Sequence, residues 1–314
     1  MHGRNTRIAD AALLLFLLLC AAGLLVWSRA VSAAVSQAVS VCTQVLLPAL
    51  FPFLVLSNLL VRSDTLRQLS GHLEPVTRSL FGLPGNLAAP LLLGAVGGYP
   101  VGAKTVAALY RAGGCRREDA LRALGFCNNG GPAFFIGALG AGLLNDSALG
   151  LRLYLTHLLA ALLIGMFCLG SKTAVKSNSS TESQSDGVPF LPSLLRAVTD
   201  GFGAFLNLCA FVLLFSVWIC LLRQLPGFSV LPQGLQGLLC GLLELTSGTG
   251  LLCSAALPAD ALCAALSFLC GWGGLSVQLQ TISLLHEVGL PCRRSLCCKL
   301  LQGVLAAGLS VLLC

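Results

Sequence analysis

The sequence is poor in charge, in aromatic residues and in histidine. Only 10% of its 314 residues are Asp, Glu, Lys or Arg, whereas soluble domains carry about 25%. Aromatic residues make up 7%, and there are four histidines. Because 56% of the residues are hydrophobic and the mean hydropathy is +0.88, these shortages exclude an ordinary soluble domain. They indicate an all-α polytopic membrane protein.

Motifs of the common enzyme classes are also missing. The chain has no GxSxG, no HExxH and no P-loop GxxxxGK[ST] pattern. Its histidines, at positions 2, 72, 157 and 286, lie near the ends of predicted spans, and no Ser/His/Asp arrangement can be built from them. We therefore expect no catalytic residue, no cofactor and no ATP-driven pumping by this chain alone.

Neither the net charge nor the cysteines indicate a nucleic-acid or metal site. The charge of +7 comes from basic residues scattered between apolar runs, with no basic–aromatic patch. Most of the fifteen cysteines lie in apolar runs, where a free cysteine behaves as a small hydrophobe. The one local cluster, Cys292, Cys297 and Cys298, has no CxxC pair, so we expect no bound metal.

Runs of about 20 mostly apolar residues predict membrane-spanning helices. We predict spans over residues 8–27, 39–61, 149–169, 202–222 and 296–314. The second contains Pro48 and Pro52 and should kink. The first could instead be a signal peptide, but its apolar run is long for one, so we expect a retained span. Residues 62–85 form a polar link, and the Ser/Thr/Asn-rich residues 172–187 predict a disordered linker.

Glycine-rich interruptions break the remaining apolar segments. Gly97 and Gly98, followed by Pro100, predict two half-helices within residues 86–112, because proline suits the first turn of a helix. Each half is too short to span, so we expect a hairpin that enters and leaves on one side. A second interruption, at residues 128–132, breaks the next helix. Such backbone is tolerated at membrane depth only where protein or a water-filled cavity surrounds it.

The second half of the chain repeats this plan. It contains an apolar hairpin over residues 234–257, broken near 245–250, and a helix over 259–285, broken at 271–274. We therefore divide the chain into four parts. These are an N-terminal span and loop (1–38), a first repeat (39–170), a polar linker (171–195) and a second repeat (196–314).

The distribution of basic residues predicts the topology. With the N-terminus in the cytoplasm, fifteen of the 19 Lys and Arg residues fall inside, three outside, and Lys104 within the membrane. The first hairpin then enters from the cytoplasm and the second from outside. Two inverted-topology repeats of this kind are typical of secondary transporters with a site near the bilayer midplane.

Two charged residues are candidates for that site. Lys104 follows the first interruption, and an intramembrane cation is a functional-site hypothesis by default. Alternatively, it reaches to the cytoplasmic surface. Glu244, within the second hairpin, could pair with Lys104 or carry a coupling proton or sodium ion. If the two only neutralise each other, a neutral polar substrate is favoured over an anion.

Polar and glycine residues at the interruptions complete the candidate site. The predicted substrate-binding residues besides Lys104 are Gly98, Tyr99, Asn128, Asn129, Ser247, Gln278 and Gln280. All of these except Gly98 have a structural alternative. The asparagines could cap a half-helix, and the glutamines could join helices by hydrogen bonds. The Ser247 hydroxyl could satisfy backbone groups freed at the interruption, and Tyr99 could pack against neighbouring side chains without contacting a substrate.

Four motifs carry a resemblance to a known family. They are Gly98-Tyr-Pro-Val-Gly-Ala-Lys104, Phe126-Cys-Asn-Asn-Gly-Gly-Pro-Ala-Phe-Phe-Ile136, Glu244-Leu-Thr-Ser-Gly248 and Gly273-Gly-Leu-Ser-Val-Gln-Leu-Gln280. From about residue 45 onward the chain resembles the YlbJ-like sporulation integral membrane proteins of the nucleoside-recognition (Gate) group. The resemblance implies an endospore former, a place in the mother-cell-derived outer forespore membrane, and export of dipicolinate, a small aromatic dicarboxylate.

The leading hypothesis is therefore a secondary transporter of a small organic anion, by resemblance dipicolinate. A transporter of nucleosides or similar neutral solutes is one alternative, since the nucleoside-moving relatives imply a similar two-hairpin core. A membrane protein that supports spore-envelope assembly without transport is another. The expected partners are the substrate, the lipid bilayer and a coupling proton or sodium ion, with no nucleic acid; a homo-oligomer stays open.

Overall fold

The computed structural model describes residues 2–62, 71–168 and 190–313, and these residues form helices and turns without any strand. The helices are α1 (His2–Val26), α2 (Ser28–Val41), α3 (Leu47–Arg62), α4 (Gly71–Phe81), α5 (Ala88–Gly97), α6 (Val101–Arg111), α7 (Arg117–Ala123), α8 (Ser147–Leu163), α9 (Phe190–Arg223), α10 (Gln233–Leu243), α11 (Leu245–Ser254), α12 (Ala259–Trp272), α13 (Gly274–Glu287) and α14 (Arg293–Leu313). The predicted disordered linker, residues 172–187, lies outside the described residues, as do residues 63–70 of the predicted polar link.

The protein is a multi-pass integral membrane protein. Five helical segments within the described ranges are long and apolar enough to cross a bilayer: Ser28–Leu59, Ser147–Phe167, Phe190–Arg223, Ala259–Glu287 and Arg293–Leu313. Large apolar side chains such as Leu155 on α8, Leu206 on α9 and Val304 on α14 are more than half exposed. An exposed apolar surface of this extent is what lipid covers. The predicted all-α polytopic fold is confirmed.

The second span differs from its prediction at its N-terminal end. It begins at Ser28, so the loop expected before residue 39 is helix α2. That segment is rich in alanine, the strongest helix former. In an α-helix, the ring of Pro48 would clash with the carbonyl four residues before it. That carbonyl lies in a short π helix, Cys42–Leu46, whose wider turn relieves the clash. Residues 71–81, predicted as part of a polar link, form α4, which bends by 99° into the segment that contains α5.

The two predicted hairpins are present. Hairpin 1 consists of α5 and α6, which are 10 and 11 residues long, and hairpin 2 of α10 and α11, which are 11 and 10. At 1.5 Å per residue each arm is about 15 Å long, half the thickness of the hydrocarbon core. Both hairpins close on a glycine pair that lets the arms touch: a Cβ on Gly94 would lie 3.1 Å from Gly102 Cα, and one on Gly248 only 2.0 Å from Gly241 Cα.

The two predicted broken helices are also present. The first consists of α7, the non-helical stretch 124–131 and, after Pro132, the π helix Ala133–Leu144. The second consists of α12 and α13, separated at Gly273, whose φ of 87° is left-handed and ends α12. The order of hairpin, broken helix and span therefore recurs in both halves. Their inverted relation stays a prediction.

The interruption of hairpin 2 lies one position earlier than predicted. Residues 245–250 are helical, and the chain is extended only at Glu244. The Glu244 carboxylate caps α11, accepting from the Thr246 amide at 2.9 Å and from the Ser247 amide at 2.7 Å. Because these amides start the helix, the Thr/Ser/Gly run becomes its first turns instead of a break.

Candidate functional site

The four interruptions meet at one place in the fold, which we call the crossing. In the first half, Gly98 of hairpin 1 lies against Gly131, where a Cβ on Gly98 would be 3.0 Å from the Gly131 amide nitrogen. In the second half, a Cβ on Gly274 would be 2.9 Å from the Leu245 nitrogen, beside Glu244. Backbone therefore touches backbone at both contacts, which only glycine permits.

Tyr99 links the two halves at the crossing. Its hydroxyl donates a 2.7 Å hydrogen bond to the Cys270 carbonyl near the end of α12. Its ring also lies beside Gly273, at 3.4 Å from the position of an added Cβ. Hairpin 1 is thus tied to the broken helix of the opposite half, and Tyr99 is a structural contact as well as a lining residue.

A partly open cavity of about 70 Å³, the crossing cavity, lies between these segments. Residues at the N-terminal ends of four helices line part of it: Gly98, Tyr99 and Pro100 before α6; Gly130, Gly131 and Ala133 at the π helix; Glu244, Leu245 and Thr246 at α11; and Ser276 and Val277 on α13. Gln280, in the middle of α13, and apolar side chains of α3 and α9, such as Leu50 and Leu208, also line it. The unsatisfied amides of a helix N-terminus carry partial positive charge. The backbone therefore favours negative charge in this cavity.

Glu244 is the one charged side chain among the described residues that line the crossing cavity. It is 2% exposed, and its carboxylate is held by the two α11 amides described above. This arrangement compensates a buried carboxylate without a cation, because the charge is on the positive end of a helix. No ion pair between Glu244 and Lys104 occurs among the described residues.

The buried cation of the crossing is Lys299 on α14, which is 1% exposed. Its ammonium donates to the Asn128 carbonyl at 2.7 Å and to the Gln302 side-chain oxygen at 2.6 Å. It also lies 5.2 Å from the centre of the Tyr99 ring. The cation is therefore bound by neutral oxygens and an aromatic face.

A polar network extends from Lys299 behind the crossing cavity. The Gln302 amide donates to Asn129 Oδ1 at 2.9 Å and lies 3.3 Å from His157 Nε2. That same His157 nitrogen accepts from the Gly130 amide at 3.2 Å, so it is unprotonated. All of these side chains are at most 3% exposed, which explains why each needs a partner.

Two amide oxygens in this region have no protein partner. Asn128 donates to Thr281 Oγ1 at 2.9 Å, and the Gln278 amide donates to the Trp272 carbonyl. The oxygens of both side chains, Asn128 Oδ1 and Gln278 Oε1, are buried and unsatisfied. Buried acceptors of this kind accept hydrogen bonds from water or a polar solute when one is present.

The structure brings most of the predicted site residues together. Gly98, Tyr99, Glu244 and Gln280 line the crossing cavity. Ser247 lines a larger neighbouring cavity of about 740 Å³, which shares Phe134, Val212 and Thr246 with the first. Asn128, Asn129 and Gln278 are buried behind the cavity and do not line it.

Lys104 does not reach the cavity, so the expectation that it faces the site is wrong. The buried face of α6 carries Ala103, Val106 and Ala107, whereas Lys104 lies on the exposed face with Arg111. The helical period therefore turns the lysine away from the crossing, although it lies only a few residues past the break. This position fits the alternative that its ammonium reaches the membrane surface.

Sequence reasoning missed Lys299, Gln302 and His157. Lys299 was assigned to the cytoplasmic basic residues, and His157 to a span end, but His157 is fully buried within α8. A signal was available on α14, where the polar residues share one face of the helix while Leu300, Leu301 and Val304 are exposed. That face carries Ser295, Lys299, Gln302 and Ser310. Helical spacing of polar residues in an apolar span indicates a face turned toward protein.

The chain is similar to a known protein family and to a named relative. The family model described as Gate, nucleoside recognition, matches residues 43–177, which include hairpin 1 and the first broken helix. The chain is also similar to the sporulation integral membrane protein YlbJ of Bacillus subtilis (strain 168). The two are 30% identical over 298 residues, which cover 85% of this chain and 73% of the relative. No solved structure matches the chain at a significant level.

Proposed function

The chain belongs to the family of the sporulation integral membrane protein YlbJ, and we propose that it is a secondary transporter of a small organic anion. The observation that carries this proposal is the crossing, where two hairpins and two broken helices meet at a cavity whose wall includes Glu244 and Gln280. Interrupted helices at membrane depth are costly unless protein or a water-filled cavity surrounds them. In secondary transporters such interruptions form the substrate and coupling-ion sites. A role without transport would gain nothing from them.

The charge preference of the site follows from its backbone. The first turns of α6, the π helix and α13 have no acidic cap side chain, so their positive ends are available to a substrate carboxylate. These N-termini supply the positive field that was predicted to come from Lys104. The resemblance implies dipicolinate, and a small aromatic dicarboxylate suits a site with several helix N-termini and one tyrosine ring.

Glu244 is the proposed coupling residue. Its carboxylate occupies the α11 N-terminus inside the cavity, so an anionic substrate would meet a like charge there. Protonation of Glu244 removes this repulsion and leaves one more helix end for the substrate. Substrate binding and proton binding are then linked, as cotransport requires.

The cellular setting is part of the proposal. We place the N-terminus in the cytoplasm from the distribution of basic residues, and the protein in the mother-cell-derived outer forespore membrane from its resemblance to the family. The chain is proposed to act without enzymatic activity or a bound cofactor. Its proposed partners are the solute, the coupling proton and the surrounding lipid.

Flux measurements in proteoliposomes test the proposal. We expect the reconstituted wild-type protein to take up labelled dipicolinate. In Glu244→Gln, the rate of uptake driven by a pH gradient should fall at least about tenfold, which corresponds to about 1.4 kcal/mol. Lys104→Ala is the matched control and should retain uptake within about twofold, because that lysine is exposed. Absence of dipicolinate uptake by the wild type, in either orientation of the gradient, contradicts the anion proposal.

A neutral nucleoside is the second candidate substrate. The observations that favour it are the nucleoside-recognition family model and the composition of the cavity wall, whose one charged side chain among the described residues is acidic. Gln280 and Ser276 could hydrogen-bond a base or ribose, and Tyr99 could stack on a base. Uptake of labelled uridine that dipicolinate does not inhibit would establish this alternative over the anion.

A further inference from the structure

Lys299 is a buried cation that the proposed transport chemistry does not use. It does not line the crossing cavity, and among the described residues no carboxylate lies within ion-pair distance of its ammonium. A charge buried without a counter-charge is costly at membrane depth. A neutral side chain would join α14 to the first broken helix at a lower cost, so the charge itself calls for an explanation.

The partners of the ammonium are the ligands that a monovalent metal ion takes in proteins. The Asn128 carbonyl belongs to the non-helical stretch of the first broken helix, and the Gln302 oxygen belongs to a neutral amide. Unwound backbone carbonyls of broken helices are where transporters coordinate a coupling cation. The Tyr99 ring adds a third favourable surface through its π face.

This set of partners differs from that of an ordinary buried salt bridge. Buried lysines usually neutralise a carboxylate, but here the two nearest oxygens are uncharged. The neighbouring titratable side chains from other elements include no carboxylate. They are the Tyr99 hydroxyl of hairpin 1, the Cys127 thiol before the break, His157 of α8 with its unprotonated nitrogen, and the Cys270 thiol of α12. The amine of Lys299 is thus held by two neutral oxygens and an aromatic face, without a carboxylate.

We propose that Lys299 is a tethered cation that occupies the site of a coupling metal ion, held by the Asn128 carbonyl, the Gln302 amide oxygen and the Tyr99 ring. The inference rests on the proposed transporter function for its role, but not for the site itself. Because the lysine fills the site permanently, solute movement by the wild-type protein does not depend on sodium. Removal of the side chain vacates a site of matching oxygens, which a sodium ion can then enter.

The test compares Lys299→Ala with the wild type in sodium chloride and in choline chloride, using thermal unfolding in detergent. We expect sodium to raise the Tm of Lys299→Ala by at least about 3 °C, and that of the wild type by less than about 1 °C. Lys299→Met is the matched control, because its side chain fills the space without charge and excludes the ion. Should Lys299→Ala not be purified in either salt, Lys299→Ser, whose hydroxyl adds an oxygen ligand, takes its place.

A flux arm separates this inference from the transporter proposal. We expect wild-type uptake of dipicolinate or uridine to be equal in the two salts, and uptake by Lys299→Ala to be at least about tenfold faster in sodium. Equal Tm values of the alanine and serine variants in the two salts overturn the tethered-cation assignment, whatever the flux. A sodium-specific Tm shift in a protein whose wild type moves neither solute supports the assignment and counts against the transporter proposal instead.

Discussion

Gly94→Ala is the substitution whose effect the structure defines most sharply. The Cys127 carbonyl of the first broken helix packs against both arms of hairpin 1 at its glycine pair. A Cβ on Gly94 would lie 1.6 Å from that oxygen, and one on Gly102 would lie 2.1 Å from it. Carbon and oxygen approach no closer than about 3.3 Å in favourable contacts. The carbonyl must therefore retreat by at least about 1.7 Å from Gly94.

The cost follows from two opposing terms. Overpacking of a close contact costs about 1–3 kcal/mol, and a backbone obstacle belongs at the upper end of that range. Replacing glycine by alanine within a helix returns about 0.5–1 kcal/mol. The net loss is about 2 kcal/mol, which at about 2–4 °C per kcal/mol lowers the Tm by about 4–8 °C. The displacement also moves Asn128, so dipicolinate uptake should fall with stability.

Thermal unfolding in detergent measures this effect, with Gly203→Ala as the control. Gly203 lies within α9, and an added Cβ meets nothing within 4 Å there, so the control should match or slightly exceed the wild-type Tm. A Tm for Gly94→Ala within about 1 °C of the control would refute the close approach between hairpin 1 and the first broken helix.

Three further substitutions test separate contacts by the same assay. Asp146→Ala removes the side chain that caps α8 with a 2.9 Å bond, and should cost about 1 kcal/mol, or about 2–4 °C. His157→Leu leaves the buried Gly130 amide without its acceptor and should cost about 1–3 kcal/mol, whereas His157→Gln should recover part of it. Gly271→Ala places a Cβ 2.4 Å from Gly303 Cα where α12 meets α14, and should cost about 1–3 kcal/mol. For each of the three substitutions, an unchanged Tm would contradict the contact that it removes or crowds.

The positions of the interruptions could be predicted from local sequence. Gly97, Gly98 and Pro100 have no good place inside a helix, and the left-handed Gly273 ends α12 for the same local reason. The lengths of the hairpin arms follow once the breaks are placed. Glu244 was also found, because a single acid within an apolar run is conspicuous, although its role as a helix cap moved the break by one residue.

The partners of the charged residues could not be predicted in this way. For Lys104 the linear pattern allows both burial and reach to the surface; for Lys299 the polar face of α14 indicates burial, but no linear pattern identifies the partner. The choice depends on which face of α6 or α14 packs against the rest of the protein. That is decided by contacts between segments about 170 residues apart, such as the one that joins Lys299 to Asn128.

The most direct test of the crossing cavity as the transport site is a pair of phenylalanine substitutions on α9. Ala204 lines the cavity, whereas Gly203, one residue earlier, is exposed and has nothing within 4 Å of an added Cβ. If the cavity is the transport site, Ala204→Phe fills it and abolishes solute uptake in proteoliposomes, while Gly203→Phe keeps wild-type uptake. Full uptake by a folded Ala204→Phe would contradict the account.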